Sequence, residues 1–145
     1  MKVNRITLWL CFLIYIATLL YLLFFSAYRN AVQGEVAYNL VPFREINRYV
    51  HHFEGITIHA LTDNLIGNIL AFVPMGFLLP LLFSRLRSFI TIVVLSCLFS
   101  VIVELTQFVY RVGALDVDDV ILNTLGGACG YVVFRLFSLG RLRSN

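Results

Sequence analysis

The chain has 145 residues, of which 60% are hydrophobic and 13% charged, with a formal charge of +3 and a mean hydropathy of +0.88. A soluble domain carries roughly a quarter of its residues as charged ones, so the composition excludes a soluble enzyme or binding module and points to a membrane protein. The Lys and Arg residues are scattered, with no basic block interleaved with aromatics, which excludes nucleic acid as a partner.

The first apolar run covers residues 6–28 without a charge. It exceeds the roughly 20 residues needed to cross the hydrocarbon of a bilayer, and it is long for the apolar core of a cleaved signal, so a retained anchor is expected. A polar connection comes next, residues 29–63, with "NLVPFREINRYVHHFEG" at its centre. Phe43, Ile46, Val50 and Phe53 recur at helical spacing, and Arg44, Asn47, Arg48 and His51 take the other face. The pattern predicts a short amphipathic helix on the membrane surface, with a simple loop capping the bundle as the alternative. His51 and His52 are adjacent and His59 stands at no ligand spacing, so no metal site is expected from them.

The second run, "NLIGNILAFVPMGFLLPLLFS", covers 64–84 and contains Pro74 and Pro80. Membrane helices tolerate such prolines when neighbours satisfy the carbonyls they leave open, and Pro74 is expected to kink this one. The third run covers 89–110, interrupted by Glu104 and Gln107, and the fourth covers about 119–139. Gly126 and Gly130 form a GxxxG expected to pack inside the bundle. Cys11, Cys97 and Cys129 lie in apolar runs and read as small apolar side chains. The fold expected is all-α: one domain over 1–145, with four transmembrane helices and an amphipathic helix in the first outer loop.

Charge bias sets orientation. With a cytoplasmic N-terminus, Lys2, Arg5, Arg85, Arg87, Arg141 and Arg143 all lie inside, and every acidic residue falls in the outer connections or at the outer ends of spans. The expectation is a multi-pass protein of the bacterial plasma membrane with both termini cytoplasmic.

Polar residues then gather at one depth. Asn64 and Asn68 share a face of the second span, Glu104, Gln107 and Arg111 take an i, i+3, i+7 pattern on the third, and Asp119 and Asn123 share a face of the fourth. Ionisable groups at that depth are costly unless paired or functional, and an outward water-filled pocket would satisfy them together. Structural roles are the competing expectation. Arg111 would pair with Asp116 or Asp118, Asp118 would cap the fourth helix, and the asparagines would join helices. The "DVDD" segment lacks a complete metal motif, and Ser96 and Ser100 lie deeper without a histidine, so neither a metal nor a nucleophile is expected.

Three blocks, "NLVPFR" (39–44), "NLIGNILAFVPMGFLLP" (64–80) and "VELTQFVYRVGALDVDDVILNTLGGACGY" (103–131), resemble the VanZ-like family of small bacterial membrane proteins. The matching positions are Asn39, Pro42, Phe43 and Arg44; Asn64, Asn68, Phe72, Pro74 and Gly76; and Glu104, Gln107, Arg111, Asp116, Asp118, Asp119, Asn123, Thr124 and Gly126. The resemblance implies a membrane protein of Gram-positive-type bacteria linked to teicoplanin-type glycopeptide antibiotics. The expected function is an outward pocket that binds a lipid-linked, cell-wall or lipoglycopeptide ligand through Arg44, Asn64, Asn68, Glu104, Gln107, Arg111, Asp116, Asp119 and Asn123. The alternatives are an intramembrane enzyme acting on a lipid-linked substrate, with Glu104 as acid or base and Arg111 stabilising charge, and a structural scaffold. Membrane lipids are expected partners, and no cofactor is expected.

Overall fold

The computed structural model describes residues 4–25, 34, 37–51 and 65–143. Asn64, His52, Phe53 and His59 lie outside the described residues. The elements run α1 (Arg5–Phe24), β1 (Tyr38–Asn39), α2 (Arg44–His51), α3 (Gly67–Leu82), a 3-10 turn (Ser84–Leu86), α4 (Phe89–Tyr110), β2 (Leu115–Asp116) and α5 (Val117–Arg143). Among the described residues the protein is thus all-α but for two short paired strands.

Among the described residues, three helices are long and apolar enough to cross a membrane: Arg5–Phe24, Phe89–Tyr110 and, within α5, Val117–Gly140. The apolar α3 has 16 residues, fewer than the other three. Side chains such as Ile6, Leu10, Ile14, Ile90, Ile102 and Leu136 stay exposed. A helix apolar all round, with no protein against one face, calls for lipid there.

The helices alternate in direction. Trp9 near the start of α1 meets Phe83 just past the end of α3, with ring centroids 5.6 Å apart. At the other end, the Gln107 amide of α4 donates to the Leu23 carbonyl at 2.8 Å, satisfying an otherwise open acceptor in the last turn of α1. The helix α3 runs through both prolines. Pro74 cannot donate to the carbonyl of Leu70, and one residue on, the Tyr15 hydroxyl donates to the Ala71 carbonyl at 2.9 Å. The Pro80 carbonyl accepts from Arg87 Nε at 3.2 Å.

Small residues let α3 and α5 approach closely. A Cβ at Gly126 would overlap the Ile69 carbonyl, one at Gly130 the Val73 carbonyl, and one at Gly76 the Gly127 carbonyl. The GxxxG therefore packs inside the chain, as expected. Two apolar clusters complete the core: Leu19, Leu23, Phe72, Met75 and Val103 join α1, α3 and α4, and Ile92, Tyr131 and Phe134 join α4 and α5.

The helix α2 stands where the sequence predicts a helix in the first connection, but Phe43 lies before its start, in the left-handed region at φ 65 and exposed. It is therefore not part of an apolar stripe on that helix.

Candidate functional site

The path of the chain beyond α4 is set by the way that helix ends. Arg111 takes a left-handed conformation, φ 55 and ψ 40, just past Tyr110. The Val112 amide then donates to the Gln107 carbonyl at 3.0 Å, closing the helix as left-handed caps do. Arg111 is consequently off the helix and its side chain is exposed. This corrects the expected Glu104, Gln107, Arg111 stripe: the periodicity continues through a residue at which the backbone has already turned.

Past that cap, the chain reaches the "DVDD" segment and meets the first connection. Strands β1 and β2 pair in parallel, Tyr38 with Leu115 and Asn39 with Asp116. The pairing brings four side chains into one hydrogen-bonded chain. Glu104 Oε2 accepts the Asp116 amide at 2.9 Å. Asp116 Oδ1 accepts the Asn39 side-chain amide at 2.9 Å and the Asp118 amide at 2.8 Å. Asp118 Oδ1 then accepts the amide of Phe43 at 2.5 Å, and Oδ2 those of Glu45 at 2.7 Å and Ile46 at 3.2 Å.

The sequence suggests that Asp118 caps its own helix or pairs with Arg111. Instead it caps α2, more than 70 residues earlier in the chain, and Asp116 provides the capping bond at the start of α5. The physical cause is a concave set of backbone N–H groups made by a left-handed residue followed by a right-handed turn, which holds an anion. Phe43 at φ 65 supplies the left-handed member. Such a conformation is strained for an aromatic residue, and the Asp118 carboxylate stabilises it.

The remaining candidates also find protein partners. Asn68 on α3 donates to Asp119 Oδ1 at 2.6 Å. Asn123 on α5 donates to Ser100 Oγ at 2.8 Å. Gln107 serves α1, as described above. Glu104, Gln107, Asp118 and Asn123 are at most 2% exposed. Each is hydrogen-bonded to its own protein partner, Glu104 to the Asp116 amide, Gln107 to the Leu23 carbonyl, Asp118 to amides at the start of α2 and Asn123 to Ser100, where the sequence suggests a shared water-filled pocket. Burial is also the main cause that raises the Asp116 carboxyl above its ordinary 3.8, opposed by the Asp118 amide and the Asn39 side chain.

The surface that faces outward from this network is basic. Arg44, Glu45, Asn47 and Arg48 line a shallow concavity of about 420 Å³ on α2. Arg48 pairs with Glu45 at 2.9 Å, and Arg44 is exposed. The structure thus joins Glu104 and Asp116 in one network, joins Asn68 with Asp119, and leaves Arg44 and Arg111 on the surface. Asn123 belongs to a deeper pair, and Asn64 lies outside the described residues. Asn39 and Ser100 are absent from the ligand contacts that the sequence suggests. Ser96, Ser100, Glu104 and Gln107 all line the buried face of α4, and their spacing of four, four and three is the signal that marks Ser100.

A protein-family model described as VanZ/LLP1 matches residues 12–138, and the chain belongs to that family. The chain is also similar to Protein VanZ of Enterococcus faecium, 30% identical over 130 residues that cover 85% of this chain and 70% of that protein. No solved structure matches.

Proposed function

We propose that this protein crosses the bacterial plasma membrane four times with both termini cytoplasmic, binds an anionic lipid-linked wall precursor or lipoglycopeptide at its outer face, and contributes to teicoplanin-type glycopeptide resistance. Family membership supports the link to resistance. With its flanking turns, α3 comes near the ~30 Å needed for the fourth crossing. Among the described residues, Glu45, Glu104, Asp116, Asp118 and Asp119 gather at one end of the bundle, with Arg5, Arg85 and Arg87 at the other, and this supports the orientation. The surface helix α2 would lie along the outer leaflet.

The observation that carries the binding reading is the three-amide capture of Asp118, which holds Arg44 and Arg48 on a fixed support. A guanidinium recognises phosphate or carboxylate through two parallel hydrogen bonds. Arg44, Arg48 and Arg111 are the proposed ligand contacts. Glu104, Asp116, Asn68 and Asp119 would support them from within through their own hydrogen bonds, while Gln107 and Asn123 are engaged deeper in the bundle. As an enzyme, the protein would use Glu104 as acid or base, but one of its oxygens already holds the Asp116 amide.

The test compares susceptibility to lipoglycopeptides in cells expressing the wild type, Arg44→Gln or Arg111→Gly, with membrane abundance measured in each. Glycine suits the left-handed position of Arg111 better than arginine does, so Arg111→Gly is expected to accumulate at wild-type level or above while protection falls. Undiminished protection in both variants would sink the binding role of the arginines. A new product from a lipid-linked precursor incubated with pure protein would favour the enzyme instead.

A further inference from the structure

The opposite end of the bundle carries a feature that the outer site does not use. A concavity of about 430 Å³ lies between the start of α1 and the turn joining α3 to α4, lined by Arg5, Leu82, Phe83, Ser84, Arg85 and Leu86. We propose that it binds the phosphate headgroup of an anionic phospholipid, with Arg5 and Arg85 on the phosphate and Leu82, Phe83 and Leu86 as the apolar floor. Its assignment to the inner leaflet rests on the orientation proposed above; the binding chemistry does not.

Four observations converge. First, the turn that presents Arg85 is held in place. The Leu86 amide donates to the Phe83 carbonyl at 3.0 Å, Arg87 Nε to the Pro80 carbonyl at 3.2 Å, and the Tyr131 hydroxyl to the Arg87 carbonyl at 2.7 Å. A fixed turn displays its charge with little ordering cost on binding. Second, no carboxylate among the described residues neutralises this end, because all five lie at the other one. Two guanidinium groups lining one hollow therefore favour an anion from outside the chain.

Third, the hollow is amphipathic. Its floor is apolar, and Trp9 stands edge-on to Phe83 with ring planes at 90°. Trp9 and Phe83 are 37% and 38% exposed. Aromatic rings of this kind sit at the level of lipid headgroups. A free phosphate ion would use the arginines and leave the floor without a role, whereas a phospholipid would cover both. Fourth, Ser84 adds a hydroxyl to the lining. Basic hollows between membrane helices on the cytoplasmic side are a known setting for acidic headgroups.

The experiment uses the full chain purified in detergent and native mass spectrometry. The probes are dioleoylphosphatidylglycerol and dioleoylphosphatidylcholine, which share acyl chains and differ in net charge. The anionic lipid is expected to be retained roughly thirtyfold better, about the effect of two arginines near a headgroup. Arg5→Gln with Arg85→Gln is expected to abolish that preference, and Arg5→Lys with Arg85→Lys to keep most of it. Arg135→Gln, a single charge removed from an exposed position on α5, is expected to leave it unchanged. Equal retention of the two lipids by the wild type would overturn the proposal even if the glutamine variant failed to fold. A persistent preference in a folded glutamine variant would also overturn it. Displacement of bound lipid by millimolar inorganic phosphate would make the site one for free phosphate and defeat the lipid assignment. Finally, Ser84→Cys in a background without native cysteines is expected to resist an impermeant thiol reagent in intact cells. Labelling there would remove the inner-leaflet assignment, while the detergent measurement reads binding whatever the orientation.

Discussion

Asp118→Asn separates the two roles considered for this residue. As a cap of its own helix, aspartate could be replaced by asparagine at little cost. In the structure both carboxylate oxygens are engaged, one with Phe43 and the other with Glu45 and Ile46. An asparagine offers one oxygen and one NH₂ group. Whichever way it is turned, the NH₂ faces at least one backbone N–H, so one or two of the three bonds become donor against donor. Hydrogen bonds to a charged group contribute ~1.5–3 kcal/mol each, and water at the half-buried loop recovers part of the loss. A net cost of about 2 kcal/mol at the loop corresponds to roughly a thirtyfold rise in its open population. Hydrogen–deuterium exchange of the detergent-solubilised protein, read on peptides covering 41–48, should quicken by about that factor, while peptides from α3 and α4 stay near wild type. Unchanged exchange at 43–46 in Asp118→Asn would refute the cap on α2.

The glycines give a contrast within one helix. Gly126→Ala and Gly130→Ala would each press a methyl group into a backbone carbonyl of α3 and should cost about 1–3 kcal/mol in detergent melting. Gly140→Ala meets nothing within 4 Å and should be neutral or slightly stabilising. Asp116 makes a pH prediction. Its carboxyl is raised above 3.8, chiefly by burial, so its contribution to stability is greatest at low pH and is lost as pH rises through the folded value. Asp116→Asn keeps an acceptor for Asn39 and the Asp118 amide without the buried charge. It should melt at or above wild type at pH 7, with the difference shrinking as pH falls toward the ordinary carboxylate range; a widening gap would reverse the sign.

The bundle is legible where length and composition alone decide it. The third apolar run spans 89–110 in the sequence and α4 is Phe89–Tyr110, because basic residues in the turn before it and polar residues after it bound an almost unbroken apolar stretch. The internal GxxxG contact is legible for a similar reason: small residues at that spacing invite a neighbouring helix. Periodicity misplaces Arg111 because helix ends are set by backbone conformation, and arginine gives no left-handed signal as glycine would. Asp118 misleads because capping chemistry looks local in a sequence. Its amide partners are 72 to 75 residues away, and nothing in the spacing of "DVDD" connects it to "NLVPFR".

The acidic cluster therefore has a different meaning from the one its position first suggests. Carboxylates near an outer mouth look like groups that face a ligand. Here Glu104, Asp116 and Asp118 accept backbone amides, and Asp119 accepts from Asn68. Among the described residues at this end, the exposed arginines remain the groups suited to an outside anion. The two classes of substitution should accordingly fail differently. Changing Asp118 should reduce protection in proportion to faster exchange at residues 41–48, because the arginines lose their support. Changing Arg44 should reduce protection with exchange unaltered. Loss of protection in Asp118→Asn without any loosening of that loop would break this division and return the carboxylate to direct contact with the ligand.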